Sequence, residues 1–370
     1  MNLRPFALER FFARHEFDVR YLLCSSDPEP LTISEVLALE SGSEHELSKL
    51  RLGYVDSRGG LRLREAIAGL YEHRNPEMVL AHGGSQEPIF ILMQALINAG
   101  DHVIVQFPAY QSQYSVAQSL GAEVSRWDSD LAREGAPDPL ELERLVRPET
   151  RLIIVTTPNN PTGFPFSRSL IDEVVRIARR SGAYLLGDEV YRGSEREAPG
   201  IPAVCDLYER GISLGGMSKV YGLAGLRVGW ISTQDRTLYD AMATVKDYLT
   251  ICNSAPSEFL AALAVRHQRT LVDRVRAIAV ANLNLLDEFF SGRSDLFQWV
   301  RPRAGTTAFP AYLAGSSSGF CSRLLETAGV LLLPSEVFDA GDQRFRIGYG
   351  RTNLPEALSA LAEFVTSDRN

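Results

Sequence analysis

Lysine is scarce in this chain. Of its 38 basic Lys and Arg residues, only Lys49, Lys219 and Lys246 are lysines. Arginine keeps a surface soluble as well as lysine does, but its guanidinium does not give up a proton, so chemistry that needs a neutral amine must use lysine. Lys219 stands in SLGGMSKVYGLAGLRVGW (213–230), among small residues, with Arg227 eight positions later. A lone lysine in an apolar, Gly-rich setting is a candidate nucleophile that condenses with a carbonyl to an imine.

Other residues extend this chemistry. TTPNNPTG places Asn159 and Asn160 in a turn made by Pro158, Pro161 and Gly163. GDEVY supplies Asp188 and Tyr191, PAY supplies Tyr110, and RFRIGYG holds Arg346 between apolar positions, where a charge is costly without a partner. GGSQEPI reads as the start of a helix whose first N–H groups can hold an anion, which singles out Gly84, Ser85 and Gln86. Each feature alone is weak, since a strand-end Asp is commonly a helix cap and NNPTG is commonly just a turn. Together they describe one ligand: a phosphorylated, nitrogen-containing aromatic ring joined to Lys219 as an imine. The helix start and Arg227 hold its phosphate. Tyr110 stacks on the ring, Asp188 keeps the ring nitrogen protonated, and Asn160 and Tyr191 bond the ring hydroxyl.

These residues must be positioned by strand ends. The runs HVIVQF (102–107), AEVSRW (122–127), RLIIVTT (151–157), AYLLGD (183–188), GISLGG (211–216) and RVGWIST (227–233) read as strands. PIFILMQALINAG (88–100) and SLIDEVVRIARRSG (169–182) read as helices between them, closing on Gly100 and Gly182 as C-caps. The alternation predicts an α/β fold, with a large domain whose mostly parallel sheet is covered by helices on both faces. Ligands of such sheets bind at the carboxyl ends of the strands, and Tyr110, Asn160, Asp188 and Lys219 all follow strands directly. From about 270 to 292 one long helix is expected, then a smaller α+β domain containing TTAFPAYL, VLLLP, RFRIGYG and two helices. The expected divisions are 1–50, an arm or part of the small domain; 51–268, the large domain; and 269–370, the linking helix and small domain.

Composition narrows the function classes. A chain of 370 residues with net charge −8 is not built as a general nucleic-acid binder. No apolar run is long enough to span a bilayer, and the amphipathic start MNLRPFALERFFARHEF lacks a signal peptide's apolar core and cleavage site. Cys24, Cys205, Cys252 and Cys321 form no CxxC pair. A cytoplasmic protein with neither disulfide nor metal is expected. His82, beside Gly83, is expected to satisfy a turn, and Cys24 to be a small buried thiol.

The set resembles the fold-type I pyridoxal-phosphate enzymes of the class I/II aminotransferase superfamily. The resemblance runs from Tyr54 in GYVDSRGG to Arg346 and is carried by Gly84, Ser85, Gln86, Tyr110, Asn160, Asp188, Tyr191, Ser218, Lys219 and Arg227. It implies pyridoxal 5′-phosphate as cofactor, a homodimer with active sites at its interface, Tyr54 reaching the partner's phosphate, and Arg346 clamping the substrate α-carboxylate with Asn160 beside it. It implies catalytic roles for Lys219, Asp188 and Tyr110 in an aminotransferase acting on an α-amino acid. Gly216 departs from the family pattern, which has a hydroxyl residue there. The stretch from SKVYGLAGLRVGW to KDYLTICNSAP is also similar to the branch that contains capreomycidine synthase, which implies a lyase or cyclase acting on an arginine-like amino acid as the alternative. On that alternative Asp27, with Glu29, meets the substrate's cationic end. Thr306 and Thr307 either shape the pocket or form a strand edge. A non-catalytic regulatory module that binds the same cofactor is the remote third reading.

Overall fold

The computed structural model describes residues 2–132, 135–197 and 200–368. The chain opens with a short helix, α1 (Ala7–His15). The central sheet has seven strands: β1 (Val79–His82), β2 (His102–Phe107), β3 (Glu123–Asp128), β4 (Thr150–Thr156), β5 (Tyr184–Asp188), β6 (Gly211–Gly216) and β7 (Gly229–Thr233), in the order β1-β7-β6-β5-β4-β2-β3. All pairs from β6 to β3 are parallel, while β7 runs antiparallel to both β6 and β1.

The runs of apolar residues form central strands because both faces of the sheet are buried. Successive side chains alternate: Val103, Val105, Leu152 and Ile154 pack into one layer, and Ile104, Ile153 and Val155 into the layer opposite. The first layer is closed by α2 (Gln86–Leu96), the second by α3 (Arg168–Ser181). In α3, Ile171, Val174, Val175, Ile177 and Ala178 turn inward at helical spacing. Its first turn is capped by Ser167, which accepts from Leu170 N at 3.1 Å, and Gly182 ends it with φ 72°. Replacing such a cap by Ala typically costs about 1 kcal/mol.

One expectation is corrected and another is met by the backbone alone. Gly100 is not the cap of α2: the helix stops at Leu96, and β-branched Ile97 is already extended (φ −101°, ψ 132°). Gly100 instead turns the chain toward Gly121, donating to its carbonyl at 3.1 Å. His82 does take part in a turn, through its backbone and not its ring. It ends β1, its carbonyl accepts from Gly84 N at 2.9 Å, and its fully buried ring has no hydrogen-bond partner among the described residues, with Glu87 Oε2 3.6 Å from Nδ1. Strand β1 itself went unread, because four buried residues carry neither alternation nor length.

The long helix α4 (Gln268–Ser291) serves two cores. Leu271 and Val272 pack with the helices under β1 and β7, whereas Ala279, Leu283, Leu286, Phe289 and Phe290 pack with Phe297, Phe320, Phe345 and Phe364. Along the second core runs the ladder of Thr307–Ala308, β8 (Phe345–Gly348) and Leu333–Pro334, with Ala308, Phe345 and Ile347 inside it and Leu333 packed instead with Leu8, Phe309 and Phe338. Tyr21–Leu22 pairs in parallel with Val330–Leu331, and Leu23 enters this core, so the N-terminal segment adds to the smaller unit.

Candidate active site

A cavity of about 400 Å³ lies at the carboxyl ends of β2, β4, β5 and β6, under α1. Ser85, Gln86, Tyr110, Asn160, Asp188, Tyr191, Ser218, Lys219, Arg227, Arg346 and Asp27, singled out above, all line it. Two do not. Gly84 lies behind the wall, and Tyr54 is 91% exposed, outside this chain's own cavity.

The floor is set by backbone ladders. Asp188 is the last residue of β5, in register with Thr156 of β4 and Leu214 of β6. Gln113 donates to Asp188 Oδ2 at 2.8 Å and to Thr156 Oγ1 at 3.1 Å, which fixes the carboxylate's plane. Burial pushes the Asp188 carboxyl up to about 6, against the Val190 N–H, Gln113 and the Lys219 charge. Its neighbour Glu189 faces away, accepting from Val204 N (2.7 Å) and Ser213 Oγ (2.9 Å).

Lys219 follows β6, and its Nζ donates to Ser26 Oγ at 2.7 Å. Burial pulls the amine down to about 8. Asp27 opposes that shift, Arg346 adds to it, and Asp188 and Glu9 oppose it. An amine in this range is available in its neutral, nucleophilic form far more than an ordinary lysine. Lys246 is also buried, but it is spent on the carbonyls of Ser57 (2.6 Å) and Ile251 (3.0 Å), whereas Lys49 is exposed.

The residues fit a phosphate. Ser85 and Gln86 open α2, and Gly84 has φ 87°. A Cβ on Gly84 would lie 2.3 Å from Arg227 Nη2, so only glycine lets that guanidinium close on the helix start. A Cβ on Gly216 would lie 2.0 Å from Ser85 Oγ. The hydroxyl missing at position 216 thus has its place taken by the Ser85 hydroxyl, which donates to Gly215 O at 3.1 Å.

The opposite wall carries Arg346, on β8 and only 1% exposed. Its Nε donates to Cys24 O at 3.0 Å and its Nη1 to Asn160 Oδ1 at 3.3 Å. Tyr191 donates to Ser26 O at 3.1 Å, as does Thr306 Oγ1 at 2.7 Å. Thr307 pairs with Gly348, and neither threonine lines the cavity. Tyr110 donates to Glu9 of α1 at 2.5 Å, and its ring lies 4.9 Å from that of Phe6. Cys24 is fully buried and outside the cavity. Glu29 is outside it too, accepting from Thr352 Oγ1 at 2.9 Å.

Sequence reasoning missed Gln113, Ser26, Glu9 and Glu16. Away from the cavity, His73, Cys205 and Asp206 bring ligand-type atoms within 4.8 Å of one another. Asn75 N donates to His73 Nδ1 at 3.0 Å, so the neutral ring carries its proton on Nε2, the nitrogen a metal would need, and that atom meets Ser232 Oγ at 2.9 Å.

Residues 21–362 match the family model for aminotransferase class I and II. The chain belongs to this family. Its cofactor is accordingly pyridoxal phosphate, and the lining described above suits that group. Capreomycidine synthase of Streptomyces vinaceus is 32% identical over 362 residues, covering 96% of this chain and 92% of the relative. A pyridoxal-phosphate-dependent aminotransferase from Streptococcus suis superposes with a TM-score of 0.93 at 31% identity, covering 99% of each chain. The pyridoxal-phosphate-dependent cyclase OrfR gives 0.91 at 28% identity, covering 100% of this chain and 98% of that one. Among the described residues no helix is long and apolar enough to cross a membrane.

Proposed function

We propose that this family member is an aminotransferase that takes the α-proton from an α-amino acid through Lys219 and moves its amino group to a 2-oxo acid. One observation carries the reading: an amine lowered to about 8 lines the same cavity as a buried carboxylate on the floor and a buried guanidinium on the wall. When bound, pyridoxal phosphate supplies a carbonyl that condenses with amines and a ring that accepts the electron pair left at the α-carbon.

The chain's own residues do the rest. Ser85, Gln86 and Arg227 bind the phosphate, with Ser218 beside them and Gly84 leaving room for Arg227 to close on the helix start, and Tyr110 lies on the ring face. Asp188, steadied by Gln113, holds a proton on the ring nitrogen. Asn160 and Tyr191 bond the ring hydroxyl. Arg346 grips the α-carboxylate with a two-pronged fork. Lys219, aimed by Ser26, is the base at the α-carbon, and α1 keeps water out. Tyr54, exposed on this chain, serves the phosphate of the partner in a homodimer.

A second reading is a lyase or cyclase that expels a side-chain leaving group after the same proton transfer. Two of the similar proteins named above, capreomycidine synthase and OrfR, favour it. Incubating the holoenzyme with a panel of amino acids, with and without 2-oxo acids, tests both. Formation of a new amino acid dependent on the added 2-oxo acid supports transamination. Release of ammonia, or a cyclised product without any 2-oxo acid, replaces it with the second reading.

A further inference from the structure

The assignments above leave charge on the cavity roof unused. Arg227 serves a phosphate, Asp188 a ring nitrogen, and Arg346 a carboxylate. Three more carboxylates line the same cavity: Glu9, Glu16 and Asp27. Asp27 already has its cation, Arg351 at 2.7 Å, and a bond from Ser25. Glu9 receives only the neutral Tyr110 hydroxyl. Glu16 caps the end of α1 through its backbone N–H, which donates to Phe12 O at 2.8 Å, while its carboxylate has no hydrogen bond or salt bridge to any described residue. Burial pushes its carboxyl up, as do the charges of Asp27 and Glu9, with Arg351 and Arg346 opposing.

Glu9 and Glu16 are seven residues apart, two helical turns, so they share one face of α1 with Phe12 between them. That face looks onto Arg346, whose guanidinium lies 5.8 Å from the centre of the Phe12 ring. Covering such carboxylates with a neutral side chain strips their water and returns nothing, and covering them with an anion adds repulsion. A cation repays the desolvation, so the penalty itself selects the substrate.

We infer that Glu9 and Glu16 form the side-chain subsite, and that the substrate is an α-amino acid whose side chain ends in a cation, either an ammonium or a guanidinium. The inference rests on the reading in which Arg346 takes the α-carboxylate.

The holoenzyme should be titrated with L-arginine, L-citrulline, L-lysine and L-norleucine while the cofactor absorbance is followed. Melting temperatures of the cofactor-free chain should be recorded with the same four compounds. At least one cationic amino acid should bind ~10-fold or more tightly than its neutral counterpart, and which pair shows the gap separates guanidinium from ammonium. Glu16→Gln should close that gap by weakening the cation alone. Glu9→Gln should do so less, since Glu9 is already engaged by the Tyr110 hydroxyl. Equal affinities within both pairs, or a Glu16→Gln loss shared by cation and neutral compound alike, overturn the subsite. If no amino acid alters the absorbance, the amino-acid reading of the site has failed. The melting arm then still decides: a rise specific to the cation and lost in Glu16→Gln upholds the subsite, and its absence ends it.

Discussion

The floor of the cavity hangs on the ends of β4, β5 and β6, whereas its roof hangs on α1 and the segment 24–27. On the floor, Asp188 is flanked by ladders on both sides and gripped by Gln113. On the roof, α1 starts at Phe6 without a side-chain cap and is tied down by a handful of polar contacts. Gln111 both accepts from Ala7 N (2.8 Å) and donates to Pro5 O (3.0 Å), and Arg4 reaches Tyr114 and Asp339. The difference teaches a division of labour. Groups that must hold bond-making geometry stand on strands stiffened from both sides. Groups proposed to choose the substrate side chain stand on a helix outside the sheet.

The comparison breaks first at Lys219. Lys219→Ala should lower turnover to below ~1/1000 of the native rate, since both nucleophile and base are lost. Borohydride reduction of the native holoenzyme should leave the pyridoxyl label on Lys219 in a peptide map. A label on Lys49 or Lys246 would move the chemistry off the floor altogether.

Asp188→Asn comes next, at ~10²-fold or more in turnover with folding intact, because an amide cannot keep the ring nitrogen protonated. Near-native turnover would reduce Asp188 to a turn-capping role. Arg346→Lys sharpens the contrast from the roof side. It keeps the charge but loses the fork, so KM should rise ~10-fold while the cofactor spectrum stays as it was. A changed spectrum with unchanged KM would mean that Arg346 belongs to the floor's work instead.

The smallest effect is a pH profile. The Lys219 amine is lowered to about 8, so in the cofactor-free chain it is mostly protonated below that pH and mostly neutral above it. Cofactor uptake needs the neutral form, so its rate should rise through pH ~8 and flatten above. A rate still climbing toward the ordinary lysine range near 10.4 would show that burial does not tune this amine.

Much of the floor was legible because strands announce themselves as β-branched runs, and the residue after such a run is at the sheet's edge by construction. That logic predicts Tyr110, Asn160, Asp188 and Lys219 at one rim, and all four line the same cavity. The roof was not legible in this way. The helical spacing of MNLRPFALERFFARHEF was visible, but nothing local says what an amphipathic helix packs against, so Glu9 and Glu16 went unnamed while Asp27 was found. Gln113 was hidden by distance, lying 75 residues before its partner Asp188 in a helix of ordinary polar composition. The one available signal was its position just after PAY, at the same rim. Glu29, adjacent to Pro28 and Pro30 just as Asp27 is to Pro28, shows the limit: two residues along the segment were enough to take it out of the cavity and over to Thr352.

The shortage of amines has a practical side. Lys246 is sealed in by two carbonyls and Lys219 lies under α1, so an acylating dye meets Lys49 as the one exposed lysine among the described residues. The chain therefore carries a nearly unique handle for surface attachment. In the cofactor-free chain, the slower labelling of Lys219 itself, read in a peptide map, serves as a clock for how often the roof lifts.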